Sequence, residues 1–246
     1  MELEVAKHDG GPLHPEVKRF YETSFRDVNG RGVAGVGTAF FNRALEKPFP
    51  PASYFANVLE LGAAHGDHLT FVRHGFGTYW LTDLENHGLT PETLRGLGDA
   101  RQGRGEIRCE RADAESLHYP DQTFDRVLHT CLLHHLRDPE KALREMRRVT
   151  RVGGTLSLYL PHDPGFLYSL LQRVTTGRAV KRALRREALQ ITPEYLRALE
   201  HPNHFVAIRA LIRHVFKNDL ITEKRWPLPF DSANFNLFTV VLVVRT

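Results

Sequence analysis

The sequence predicts an α/β domain: a mostly parallel seven-stranded sheet with an antiparallel hairpin at its C-terminal edge. Two observations predict it. Five short β-rich runs, at 57–61, 78–82, 106–110, 124–129 and 155–160, alternate with helix-start signals. Alternation of this kind pairs strands in parallel through right-handed crossovers. Two late runs, 220–226 and 236–244, follow one another across a turn region that begins Pro227-Leu228-Pro229. Without an intervening helix they should pair as an antiparallel hairpin joined by a tight loop.

The helix starts share one design. Thr90-Pro91-Glu92, Asp138-Pro139-Glu140 and Thr192-Pro193-Glu194 each set a capping oxygen before a proline and a carboxylate. The proline needs no helical donor, and the carboxylate meets the positive end of the helix. The last of these leads a helical stretch reaching about residue 216. Residues 1–50 and 163–190 fit no strand of the sheet and are read as helical or loop coverings over the strand C-termini. The whole chain, 1–246, is expected to be one domain: a cap at 1–50, a ligand-binding core at 57–160, a lid insertion at 161–190, then a late helix and C-terminal strands at 191–246.

The 246 residues suffice for one large core, with 33 Lys and Arg against 29 Asp and Glu. The start has neither the basic nor the apolar region of a signal peptide, and no apolar run is long enough to cross a bilayer, so a cytoplasmic protein is expected. Two cysteines, Cys109 and Cys131, cannot build a disulfide framework and lack zinc-ligand spacing. Arg173, Arg178, Lys181, Arg182, Arg185 and Arg186 crowd one segment. Val180, Ala183, Leu184 and Ala188 give that segment an apolar stripe, so it reads as an amphipathic helix with a solvated cationic face. No nucleic-acid-binding motif accompanies the charge, and no nucleic-acid partner is expected.

The residues that carry chemistry begin at Val58-Leu59-Glu60-Leu61-Gly62-Ala63-Ala64-His65-Gly66-Asp67. An apolar strand ends in a glycine turn that should lead directly into a helix, with Gly62 and Gly66 allowing close approach of a ligand. Asp83 closes the next strand, about twenty residues on, where a carboxylate can accept hydrogen bonds from ribose hydroxyls. A second glycine series, Gly30-Arg31-Gly32-Val33-Ala34-Gly35, matches the dinucleotide pattern letter for letter. No strand precedes it, and it reads as a flexible loop.

Further pieces follow in order: Asp113-Ala114, Phe124-Asp125, Leu133-His134-His135-Leu136, then a helix ending before Gly153-Gly154. From 57 to 160 this series resembles the class I, Rossmann-like, S-adenosylmethionine-dependent methyltransferase family, especially its small-molecule branch. The resemblance implies S-adenosylmethionine as cofactor and transfer of its methyl group to an oxygen or nitrogen of a small-molecule metabolite. It places Glu60 and the turn Gly62, Ala63, Ala64 and Gly66 on the methionine part, with Asp83 on the ribose. It sets Leu84 and Ala114 against the adenine, Asp113 on the adenine amino group, and the backbone of His129 and Thr130 beside the methionine. Ala64 departs from the family pattern, where glycine is usual, and a slight displacement of the cofactor is expected there. For a protonated acceptor a base is needed, and His134 and His162, both just past strand ends, are the candidates. The histidines show no diagnostic metal spacing, so no metal site is expected. A nicotinamide-dependent oxidoreductase on the same fold and an RNA-directed enzyme using the arginine-rich segment are the competing functions.

Overall fold

The computed structural model describes residues 15–24, 28, 32–84 and 105–246. Helices α1 (Pro15–Thr23) and α2 (Gly32–Glu46) precede strands β1 (Tyr54–Leu61), β2 (Gly75–Asp83), β3 (Glu106–Arg111) and β4 (Phe124–Thr130). Then come α3 (Pro139–Val149), β5 (Thr150–Pro161), α4 (Phe166–Thr175), α5 (Gly177–Arg186), α6 (Pro193–Glu200), α7 (Phe205–Val215), β6 (Leu220–Trp226) and β7 (Phe238–Val244). The seven strands form one sheet in the order β3-β2-β1-β4-β5-β7-β6. The first five run parallel, and β7 lies antiparallel between β5 and β6. Each expected strand is present. The two last strands do pair, but eleven residues, 227–237, connect them where a tight loop was expected.

Two of the three helix starts lie among the described residues, and both use their caps. Asp138 accepts from the Lys141 amide at 2.9 Å, and Thr192 from the Tyr195 amide at 3.1 Å. The start at Thr90 lies outside the described residues. The second glycine series is a correction: from Gly32 onward it is helical, opening α2 where a loop was expected.

One face of the sheet, with Leu59, Leu61, Val127, Leu156 and Leu158, packs against Met146 of α3 and Phe205, Ile208 and Ile212 of α7. The other, with Val58, Tyr79, Leu81 and Leu128, packs against Leu45 of α2. Here the sequence reading needs its second correction. The glycine turn after β1 leads into a five-residue 3₁₀ helix, Asp67–Phe71, and not an α-helix. So short a crossover cannot cover the sheet face, and α2 covers it instead.

What fastens α2 there is polar. Arg126, in the middle of β4, is the largest fully buried side chain among the described residues. Its guanidinium bonds both oxygens of Glu46 at the end of α2, at 2.6 and 3.0 Å. It donates to His74 Nε2 at 2.7 Å and lies 4.0 Å from the centre of the Phe49 ring. His74 turns its other nitrogen, Nδ1, to the Gly75 carbonyl, so the neutral ring can accept from arginine. His68 of the 3₁₀ helix bridges Asn42 and Glu46 at 2.8 and 2.9 Å. Although burial pushes the Glu46 carboxyl upward, Arg126 and His68 together hold it well below the ordinary carboxylate range. Glu46→Ala would leave an enclosed guanidinium without its counter-ion. It is expected to cost about 3–5 kcal/mol, read as a lower urea midpoint at unchanged slope. A loss under about 1 kcal/mol would show that the pair does not hold α2 in place.

Candidate active site

In an open α/β sheet the ligand crevice lies outside the strand C-termini where the strand order reverses. Here that point lies between β1 and β4, and the glycine turn sits on it. Gly62, Ala64 and Gly66 all take left-handed backbone conformations, with φ of 66°, 48° and 71°. The usual glycine at position 64 is thereby explained, since alanine reaches this region only at a cost of about 1–2 kcal/mol. The turn is pinned to β2: the Ala63 amide donates to the Thr82 carbonyl at 2.9 Å, and the Ala64 amide to Asp83 Oδ2 at 2.9 Å. A Cβ on Gly62 would lie 2.9 Å from Leu132 Cδ1, so the turn after β4 closes directly against the glycine turn.

Glu60, at the end of β1, is fully buried. Oε2 accepts from the Tyr79 hydroxyl at 2.6 Å, while Oε1 has no hydrogen-bond partner among the described residues. Burial raises its pKa. A buried acceptor without a donor is costly, and the α-amino group of an amino-acid ligand is a donor of the right kind. Leu84 is half exposed just beyond β2. Past β3, Ala112 bonds the Asp83 carbonyl, Asp113 is exposed and accepts from the Glu115 amide, and Ala114 is buried. The turn, an orphaned acid, a second acid and an open apolar side chain thus meet along the C-terminal ends of β1, β2 and β3. That set fits S-adenosylmethionine.

Both candidate histidines are enclosed. His134 is fully buried with neither ring nitrogen partnered among the described residues. His162 is fully buried, bonded to Thr239 Oγ1 at 2.8 Å and stacked on Phe205 at 3.7 Å. His129 is buried as well, accepting from the Leu132 amide at 3.3 Å. Burial pushes the pKa of His134 down to about 2, His129 to about 3 and His162 to about 4. His162 thus has the surroundings of a packed core residue, and His134 is enclosed to the same degree.

A group that sequence reading did not assemble lies alongside. Asp163 receives both Arg197 and Nδ1 of His201, the latter at 2.5 Å. His201 also packs edge-on to His135 at 4.8 Å and lies 5.6 Å from His134. Asn203 donates to the carbonyls of Leu133 and Leu136, fastening the α6–α7 connection to the turn after β4. No spacing rule finds such a set, because about seventy residues separate its halves.

The enclosed neutral histidines fix the direction of acid denaturation. Each would take a proton near 6.5 in the unfolded chain but resists it in the fold until about pH 4 or lower. Their contribution is complete above about pH 7 and is lost progressively as pH falls below 6.5. Urea midpoints measured across this range should decline toward pH 4, and a midpoint unchanged at about pH 5 would contradict the burial of these rings.

Residues 59–158 match the sequence model of the family described as a methyltransferase domain. The 2-methyl-6-phytyl-1,4-hydroquinone methyltransferase 1, chloroplastic, of Oryza sativa subsp. japonica is 32% identical over 122 residues, 46% of this chain and 37% of that protein. The ajmaline N-methyltransferase of Rauvolfia serpentina is 31% identical over 116 residues, 45% of this chain and 38% of that protein. The alignment thus spans well under half the length of these relatives. An O-methyltransferase family protein from Burkholderia thailandensis has a similar fold, with a TM-score of 0.57 at 15% identity, over 93% of this chain and 62% of its own. The PH0226 protein from Pyrococcus horikoshii OT3 does too, at 0.55 and 14%, over 93% and 99%. The matched segment, residues 59–158, thus carries a methyltransferase domain, and the motif series within it is similar to that of the class I, S-adenosylmethionine-dependent methyltransferase family.

Proposed function

We propose that this protein transfers the methyl group of S-adenosylmethionine to an oxygen or nitrogen of a small-molecule metabolite in the cytoplasm. The observation that carries the reading is the left-handed turn Gly62–Ala64–Gly66 set between the half-orphaned carboxylate of Glu60 and the carboxylate of Asp83. The cofactor supplies an electrophilic methyl on a sulfonium. The chain's residues have to bind, align and exclude water, and for a protonated acceptor move one proton.

In this reading Glu60 takes the α-amino group, Asp83 the ribose hydroxyls and Asp113 the adenine amino group. Leu84 and Ala114 flank the adenine, and the backbone at His129 and Thr130 borders the methionine. The candidate bases are His134 and His162, both just past strand ends, and His135, His201 and Asp163 give the His134 ring charged and polar neighbours. The relatives' names give a hydroquinone methyltransferase and an N-methyltransferase, which favours an electron-rich small acceptor. Phe166, Val174, Phe230 and Phe235 are exposed along α4 and the β6–β7 connection, apolar surface of the kind a ring-bearing acceptor would contact.

The arginine-rich α5 leaves a nucleic-acid acceptor as the competing reading. Its apolar stripe, Ala183 and Leu184, is spent on a cluster with Val17 and Phe20 of α1 and Leu196 of α6, and its arginines face outward. Arg178, Arg182 and Arg185 are exposed, Arg186 is engaged by Ser24 and Glu187, and no aromatic side chain stands among them on which a base would stack.

Calorimetry with S-adenosylmethionine, its demethylated product and NADH tests the reading. The first two should bind and NADH should not. Asp83→Ala should weaken binding about tenfold to a hundredfold, because a charged acceptor for hydroxyls contributes about 1.5–3 kcal/mol. Preference for NADH, or an unchanged dissociation constant in a folded variant, would overturn the corresponding assignment.

A further inference from the structure

We propose that Cys131, His135 and His201 form a binding site for a zinc-class divalent cation beside the end of β4. One donor atom from each, the thiol sulfur and a ring nitrogen of each histidine, lies within 4.8 Å of the others. A tetrahedral cation with bonds of about 2.0–2.3 Å holds its donors about 3.3–3.8 Å apart. Side-chain rotations of about 1 Å therefore close the trio around an ion.

The surroundings are those of ligand histidines. Asp163 Oδ2 holds Nδ1 of His201, so the proton sits on that nitrogen and Nε2 keeps the lone pair. The Glu200 backbone offers the ring of His135 a hydrogen-bond acceptor. Carboxylate and carbonyl acceptors behind the rings set the tautomer and orientation of metal-bound imidazole. Arg197 in turn fastens Asp163, so the second layer is itself held. An independent observation is the buried ring of His134, 5.6 Å from His201, with both nitrogens unpartnered among the described residues. A thiolate with two imidazoles selects zinc or a similar transition metal over magnesium or calcium, which take oxygen ligands. Three protein donors leave a fourth position for water or an oxygen of a small molecule.

The test does not depend on methyl transfer. The full chain is stripped with chelator, dialysed and titrated with zinc, then with cobalt(II) as a spectroscopic stand-in. Expected are about one equivalent of zinc bound and, with cobalt, a thiolate charge-transfer band with tetrahedral visible bands. Cys131→Ser should abolish the thiolate band, while Cys109→Ser leaves it intact. His201→Gln and His135→Gln should each weaken zinc binding by about tenfold or more, and Asp163→Asn by about tenfold to a hundredfold. Circular dichroism melts of each variant show whether it folds, and two independent histidine variants keep the test decisive if one does not. Failure of the stripped chain to bind zinc stoichiometrically overturns the proposal, as does a thiolate band that survives Cys131→Ser.

Discussion

A charged guanidinium enclosed in a sheet is the constraint around which this fold is arranged. Arg126 lies at the middle of the central strand β4, fully out of water. Such a charge persists only with a counter-ion and hydrogen bonds around it. Glu46 supplies the first from the last turn of α2, His74 and Phe49 complete the enclosure, and His68 ties in the short crossover after the glycine turn. One ionic contact thereby decides which helix covers this face of the sheet. Because the β1–β2 crossover is a 3₁₀ helix of five residues, the helix that precedes β1 has to take its place. A wholly apolar contact would have bound α2 as firmly, but the directional pair also sets its end and its rotation.

That choice reaches the cofactor side. Glu60 projects onto the same face, where Tyr79 holds one carboxylate oxygen and leaves the other without a donor. Its neighbours Leu59 and Leu61 project to the opposite face and pack under α3 and α7. Strand alternation alone accounts for this: one residue serves the ligand while the two beside it serve the core. The glycine turn then begins at once, and its left-handed residues carry the chain back toward β2 with the Ala64 amide on Asp83.

How much of this was legible in the sequence depends on the distance over which each feature is specified. The seven strands, the caps at Asp138 and Thr192 and the glycine turn are set by neighbouring residues, and local patterns found them. The helix expected after Gly66 failed because glycine followed by polar residues signals the end of a strand but not the length of the next element. The glycines at 32 and 35 read as a loop because their helix propensity is poor, yet tertiary packing of α2 overrides propensity. Arg126 gave no sign of being buried, since nothing in its own strand marks a partner eighty residues upstream. The same limit hid Asp163 and His201. Each is unremarkable where it stands in the chain, and only the docking of the α6–α7 connection onto the turn after β4 brings them to Cys131 and His135.

The middle and the C-terminal end of β4 thus solve one problem in different ways. In both places the fold takes ionisable groups out of water beside a strand that must stay paired. At Arg126 the charge is kept, because Glu46 offers two acceptors in fork geometry matched to a guanidinium. At the C-terminal end the groups are imidazoles, which can shed their charge, and burial drives His129 and His134 to the neutral form. Neutral imidazoles keep lone pairs that a guanidinium never has, so the C-terminal end retains donors to ligands and protons where the middle of the strand has none. The chemistry of the crescent beyond β4 follows from that difference. The strand's middle is spent on holding α2, and its end remains available for binding.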